Sequence, residues 1–251
     1  MSDATDHYER LLADHYTWMF GSAVHEKAAE QRELLARLGV GGGGDLAIDL
    51  GAGSGFQTLA LADLGYRRVI AIDTSRKLLE ELRTNVAGRP AGAAHSVVQA
   101  VEADMLDLPR HVSPGTADVI VCMGDTLTHL PAREHVTHLF TAASASLRRD
   151  GRFVLSYRDL SSELLGPDRF IPVRSTTDKI MTCFLEYLPG KVMVHDLIHL
   201  REDSGWKLLK SCYPKLRLPV DEIRRALENS GLHLESQETI RGMAFLAAQK
   251  R

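Results

Sequence analysis

Cysteine is scarce: Cys122, Cys183 and Cys212 are the three in 251 residues, an odd number at wide spacing. A disulfide framework or clustered zinc site is excluded, and a reducing, cytoplasmic location is expected. Basic excess is lacking as well, since 30 Lys and Arg stand against 33 Asp and Glu for a formal net charge of -3. Without a basic stripe the phosphate-neutralising attraction behind nucleic-acid binding is missing, and no nucleic-acid partner is expected. No apolar run approaches a membrane span and the N-terminus opens on acidic and polar residues, so neither a membrane partner nor a secretory leader is expected. What remains, 44% hydrophobic and 25% charged, is enough for one large α/β domain with an added element.

The most informative stretch is Ala47-Ile48-Asp49-Leu50-Gly51-Ala52-Gly53-Ser54-Gly55-Phe56. Its apolar start is too short for a helix and reads as a buried parallel strand, followed by a glycine turn and helical sequence. Glycines admit positive φ and close backbone approach to a ligand, while a helix start presents unpaired N–H groups. The dinucleotide fingerprint is G-x-G-x-x-G. Here the pattern is G-x-G-x-G, Phe56 stands near the third glycine position, and Asp49 precedes the first glycine. A carboxylate there would repel a pyrophosphate. It would suit S-adenosylmethionine, which carries an ammonium and a sulfonium and no phosphate.

Further acids close the following apolar runs. Asp73 ends Arg68-Val69-Ile70-Ala71-Ile72 and is placed to accept ribose hydroxyls, a role common to both cofactor classes. A third strand, Val97 to Met105, delivers Asp104 and Met105 to the same edge, with Asp104 able to accept an adenine amino group. A fourth, Ala117 to Thr126, runs into a turn and a helix carrying His129, Leu130, His138 and Leu139.

The motif set resembles the class I S-adenosylmethionine-dependent methyltransferases over nearly the whole chain. The resemblance implies a Rossmann-like α/β fold, a seven-stranded mostly parallel sheet with helices on both faces, and S-adenosyl-L-methionine as cofactor. It implies cofactor contacts at Asp49, Gly51, Ala52, Gly53, Gly55, Asp73, Thr74, Asp104, Met105, Met123 and Gly124. Cys122-Met123-Gly124-Asp125-Thr126-Leu127-Thr128-His129-Leu130 is similar to a segment of the glycine and sarcosine N-methyltransferase branch, with Asp125 where Asn is usual. Arg158 matches an arginine that binds the acceptor carboxylate in that branch, although Asp159-Leu160 replaces the usual Asn-Tyr.

The segment organisation follows from pattern. Residues 1–44 are expected to form an N-terminal helical lid, helical in at least two pieces over Asp6 to Leu38, with Gly39 to Gly44 as a flexible joint. Residues 45–157 make the cofactor-binding core, in which Thr74-Ser75 caps a helix stopped by Gly88-Arg89-Pro90. Residues 158–218 read as an antiparallel cap insertion of three runs, Lys179 to Leu188, Lys191 to Arg201 and Trp206 to Leu216. Residues 219–251 give a C-terminal helix and a closing hairpin, so the whole is a single domain.

Methyl transfer from a sulfonium is an in-line displacement that asks mainly for alignment. His129 and Asp125 are the candidate catalytic residues, one as base and the other as a positioning group. Tyr16, Arg158 and His129 are the candidate substrate contacts, and Trp18 joins the cofactor set because aromatic faces attract cations. The acceptor is expected to be a small molecule, with N-methylation favoured over O- or S-methylation, and there is room for a homo-oligomer. Two other classes stand beside this: a nicotinamide-dependent oxidoreductase, which Asp49 and the missing glycine disfavour, and a non-catalytic S-adenosylmethionine-binding regulatory protein. His195 and His199 share a strand face without a third ligand, so no metal is expected.

Overall fold

The computed structural model describes residues 3–89 and 97–251. Residues 1 and 2, at the head of the expected lid, and Pro90, expected to help stop a helix, lie outside the described residues. The chain opens with α1 (Asp3–His7), which runs through a π turn, Tyr8–Leu12, and a 3-10 turn, Ala13–His15, into α2 (Tyr16–Phe20). Gly21, at φ 79°, ends this segment before α3 (Val24–Arg37).

The core then alternates: β1 (Leu46–Leu50), α4 (Phe56–Asp63), β2 (Arg68–Asp73), α5 (Arg76–Ala87), β3 (Val98–Glu102), α6 (Leu108–His111), β4 (Ala117–Cys122), α7 (Arg133–Ser146) and β5 (Leu147–Arg158). β6 (Phe170–Ser175), β7 (Lys179–Leu188), β8 (Lys191–Glu202) and β9 (Gly205–Leu216) follow, then α8 (Val220–Asn229), β10 (Leu232–Ile240) and β11 (Met243–Lys250). The seven-stranded sheet has the order β10-β11-β5-β4-β1-β2-β3. β1 to β5 pair in parallel, while β11 is antiparallel to both β5 and β10.

Burial explains the apolar runs. Ile48, Ile70, Ile120 and Phe153 pack on one face with Phe140 of α7 and Leu227 of α8. Their neighbours Ala47, Val69, Val121 and Val154 pack on the other with Leu35 of α3, Leu59 of α4 and Leu79 of α5. A strand covered on both faces must be apolar at successive positions.

Three local expectations need correcting. Beyond the three cap runs there is a fourth strand, β6, so the cap is a separate sheet of order β6-β7-β8-β9; Pro172 and a register shift next to it mask its pattern. His129 and His138 do not share one helix, because His129 ends a 3-10 turn, Thr126–His129, and His138 lies in α7 beyond Pro131. Met105 begins a 3-10 turn that Asp104 caps by accepting the Leu106 N–H, so the third strand stops at Glu102.

Candidate active site

The strand order reverses at β1, which lies between β2 and β4, and open α/β sheets bind ligands in the crevice beyond the carboxyl ends at such a point. A cavity opens there. It is lined by Gly51 and Gly53 after β1, Asp73 to Ser75 at the end of β2, Asp104 and Met105 after β3, and Thr126 and His129 after β4. Ala4, Thr5, Tyr8 and Tyr16 of the leading helices complete the lining.

Local chemistry explains the turn. At Gly51, φ is 70° and a Cβ would come within 2.2 Å of Thr126 Cγ2, so a side chain is both strained and blocked. At Gly53, φ is 54° and a Cβ would meet the Tyr16 ring at 3.3 Å. Asp73 receives the Gly53 N–H at 2.8 Å on one oxygen and the Ser75 N–H at 2.7 Å on the other. Each oxygen keeps a second lone pair for a vicinal diol. Burial raises the Asp73 carboxyl above its ordinary range, against the pull of these N–H groups. The leading helices are bonded to this edge through Thr5 to Thr74 at 3.0 Å, Ser75 to Glu9 at 2.6 Å and Thr17 to Ser54 at 3.1 Å.

These residues fit a sulfonium nucleoside. Two carboxylates, Asp73 and Asp104, face the cavity, and among its described lining residues there is neither Lys nor Arg, so a pyrophosphate would meet only repulsion. Ile72, Leu78, Met105 and Leu130 supply apolar wall for a planar base.

Of the expected cofactor contacts, Gly51, Gly53, Asp73, Thr74, Asp104 and Met105 line the cavity; Asp49, Ala52, Gly55, Met123, Gly124 and Trp18 do not. Asp49 is 1% exposed and accepts the Thr58 hydroxyl of α4 at 2.6 Å. Burial raises its carboxyl to about 7, and its bond to Thr58 ties the end of β1 to the first turn of α4. The turn N–H groups are also used internally, Gly51 and Ala52 donating to the Ile72 carbonyl. Ala52 and Met123 are buried on the α4 side of the sheet, Gly55 forms the N-cap of α4, and Gly124 donates its N–H to Ser156. The Trp18 ring lies against the Arg174 guanidinium at 5.0 Å and the Lys179 ammonium at 4.6 Å, facing the cap instead.

Of the candidate acceptor and catalytic residues, Tyr16 and His129 line the cavity and Asp125 and Arg158 do not. His129 packs edge-on to Tyr8 at 5.7 Å and stacks on Tyr213 at 5.3 Å. Desolvation, then the nearby Lys215 ammonium, pushes its imidazole down to about 3, so it is neutral at physiological pH. Asp125 accepts the Lys215 ammonium at 2.7 Å on one oxygen and the Arg158 N–H at 2.8 Å on the other. Burial would raise its carboxyl, but Lys215 and then Arg158 hold it at about 2. The Arg158 Nε approaches the same carboxylate at 3.7 Å, so this arginine is paired with Asp125 rather than Asp159.

Sequence reasoning missed Tyr8, Lys215, Tyr213 and the buried His7 to Asp196 contact of 2.9 Å. The signal at Lys215 was available: it shares a strand face with Tyr213, and a lysine on an apolar face calls for a buried partner.

Comparison with known proteins agrees with this geometry. Residues 47–151 match the family described as a methyltransferase domain. The glycine/sarcosine N-methyltransferase of Aphanothece halophytica is 21% identical over 157 residues, 62% of this chain and 57% of that protein. The chain thus spans well under two thirds of the first curated relatives it matches. Among solved structures, the CcbJ methyltransferase from Streptomyces caelestis aligns with a TM-score of 0.79 at 18% identity, covering 97% of each chain. S-adenosylmethionine-bound CalS10, an amino pentose methyltransferase from Micromonospora echinaspora, gives a TM-score of 0.70 at 15% identity, covering 96% of this chain and 97% of that one. Residues 47–151 thus match a methyltransferase domain, and the chain shares its fold with solved S-adenosylmethionine-dependent methyltransferases.

Proposed function

We propose that this protein transfers the methyl group of S-adenosylmethionine to the nitrogen of a small amine. One observation carries the choice of nitrogen: His129, Asp125, Tyr8 and Tyr16, the groups expected to meet the acceptor, are poor bases near neutrality. His129 is held at about 3 and Asp125 at about 2, while burial raises the Tyr8 and Tyr16 phenols. An alcohol would need such a base to attack, whereas an amine can lose its proton to solvent before it enters. The relatives support the same reading, since they include glycine/sarcosine and amino pentose methyltransferases.

When bound, S-adenosylmethionine supplies a methyl group on a sulfonium whose displacement leaves a neutral thioether. In this reading Asp73 holds the ribose diol, Asp104 and Met105 flank the adenine, and the glycine turn gives close backbone approach. Tyr8, Tyr16 and the neutral His129 form an aromatic wall that orients the acceptor and excludes water. The Asp125 to Lys215 pair acts as a positioning group behind that wall. Residues 1–44 act as the lid, 45–157 with 219–251 as the core, and 158–218 as the cap.

Titration calorimetry and a pH profile test this. Asp73→Ala is expected to weaken S-adenosylmethionine binding by about 1.5–3 kcal/mol, the cost of losing hydrogen bonds to a charged group. For a series of amines, kcat/KM is expected to rise with pH along each acceptor's own ionisation and to keep that limb in His129→Phe. A limb near neutrality, common to all acceptors and lost in His129→Phe, would make His129 the base and defeat the argument for nitrogen.

A further inference from the structure

Along β8 the residues that face the leading helices are Val192, Val194, Asp196 and Ile198, each of them buried. The three apolar ones pack with Ala4 of α1 and with Leu11 and Leu12 of the π turn. Asp196 is 1% exposed in the middle of this row, and a carboxylate there is costly unless donors reach it. Two do. Cys183, its register partner on β7, donates its thiol to one oxygen at 2.8 Å, and His7 at the end of α1 meets the other at 2.9 Å through Nε2. A carboxylate only accepts, so the imidazole is the donor, and a thiol is a weak one, which leaves His7 as the principal partner.

His7 depends on Asp196 in return. Its ring is buried, and its Nδ1 has no hydrogen-bond partner among the described residues. The ring lies on Tyr213 at 4.3 Å, and the next residue, Tyr8, lines the cofactor cavity. Neither His7 nor Asp196 lines it. The leading helices also bond to the core, through Thr5 to Thr74, Ser75 to Glu9 and Thr17 to Ser54, but those contacts are part-buried and water competes for them. The pair to the cap is closed to water.

We infer that Asp196, acting through His7, is a positioning residue that holds the leading helices shut over the cavity and sets the rate, not the affinity, of S-adenosylmethionine exchange. This rests on the reading of the leading helices as a lid. Ala4, Thr5, Tyr8 and Tyr16 wall the cavity, so a nucleoside enters and leaves when these helices lift. Lifting them breaks the pair whether the cavity is empty or filled. A contact made equally in both states has no differential effect on ligand affinity. It slows entry and exit by the same factor.

Stopped-flow fluorescence with S-adenosylhomocysteine, read on Trp18 where its ring faces Arg174 and Lys179 of the cap, and hydrogen exchange of residues 3–20 test this. His7→Phe and Asp196→Val each remove one partner. Association and dissociation are expected to rise together by roughly 10- to 100-fold in both, the range for losing a hydrogen bond to a charged group. The dissociation constant is expected to stay within about threefold of the wild type. Amide exchange is expected to accelerate over residues 3–20 and not over β1, β4 and β5. The double variant His7→Phe/Asp196→Val replaces the pair by an apolar contact and is expected to recover most of the slow ligand kinetics, whereas residues that merely support the fold would give additive losses and faster exchange in the core. Asp196→Asn keeps the shape and an acceptor, so a smaller parallel rise in both rates is expected, and it decides the matter if the other variants do not fold. In the wild type, S-adenosylhomocysteine is expected to slow amide exchange over residues 3–20; no slowing there would defeat the lid reading and this inference with it. Slowing in the wild type with unchanged ligand rates in the variants would overturn the role of the pair and leave the lid standing. A weakened affinity that comes from faster dissociation alone would also overturn it, by assigning the pair to cofactor binding.

Discussion

The core sheet and the cap sheet solve the same problem differently. In the core, Ala47 to Leu50 and Val119 to Cys122 are buried at every position, because helices cover both faces. In the cap, β8 alternates between buried and partly exposed residues, because only its inner face is covered by this chain. The core strands position the cofactor edge and leave no freedom to their side chains. The cap strands have one committed face, which brings Tyr213 and Lys215 to the site, and one face that this chain leaves open. Lys215 joins the two regions, reaching from β9 to Asp125 beyond β4.

Breaking that joint is expected to have the largest effect. Lys215→Met leaves Asp125, which is part-buried, without its ammonium partner, and the cost is expected to approach that of a broken buried pair, about 3–5 kcal/mol, read as a lower thermal midpoint. Asp125→Asn in the same chain is expected to recover much of the loss. The pH dependence has a definite sign: a carboxyl held at about 2 against an ordinary 3.8 stabilises the fold above 3.8, and that contribution is lost as pH falls toward 2. The acid limb of the stability curve between those values is expected to flatten in the double variant.

Next in size are changes within the core. Ile120→Ala, at a fully buried position of β4, is expected to cost about 2–5 kcal/mol in denaturant unfolding. Gly51→Ala places a side chain at φ 70° against Thr126, and such backbone strain costs on the order of 1–3 kcal/mol before the clash is added. Its S-adenosylmethionine affinity is expected to fall as well, because the turn must shift. The smallest effect sharpens the comparison: Leu208→Ala on the outer cap face is expected to change the stability of dilute protein by less than about 0.5 kcal/mol. A loss as large as that of Ile120→Ala would show that the outer face supports the monomer's own fold.

Legibility followed the same division. The parallel strands could be read because burial on both faces writes itself as an apolar run, and the cavity residues Gly51, Gly53, Asp73, Asp104 and Met105 could be read because each directly follows or closes such a run. β6 could not, since Pro172 removes a donor and the register slips beside it. Tyr8 was hidden because the leading segment changes pitch twice, from a π turn over Tyr8–Leu12 to a 3-10 turn over Ala13–His15, so no single helical repeat gives its facing.

By itself the sequence determined the parallel core, the glycine turn and the acids at the strand ends. These depend on short-range properties: φ freedom without a Cβ, and apolar content along a few consecutive residues. Only the tertiary structure decided which of those acids face the cavity. Asp49 turns to Thr58, and Asp125 is taken by Lys215, 90 residues away. A carboxylate's role is set by the donors and charges that reach it, and those come from whichever segments the fold brings alongside.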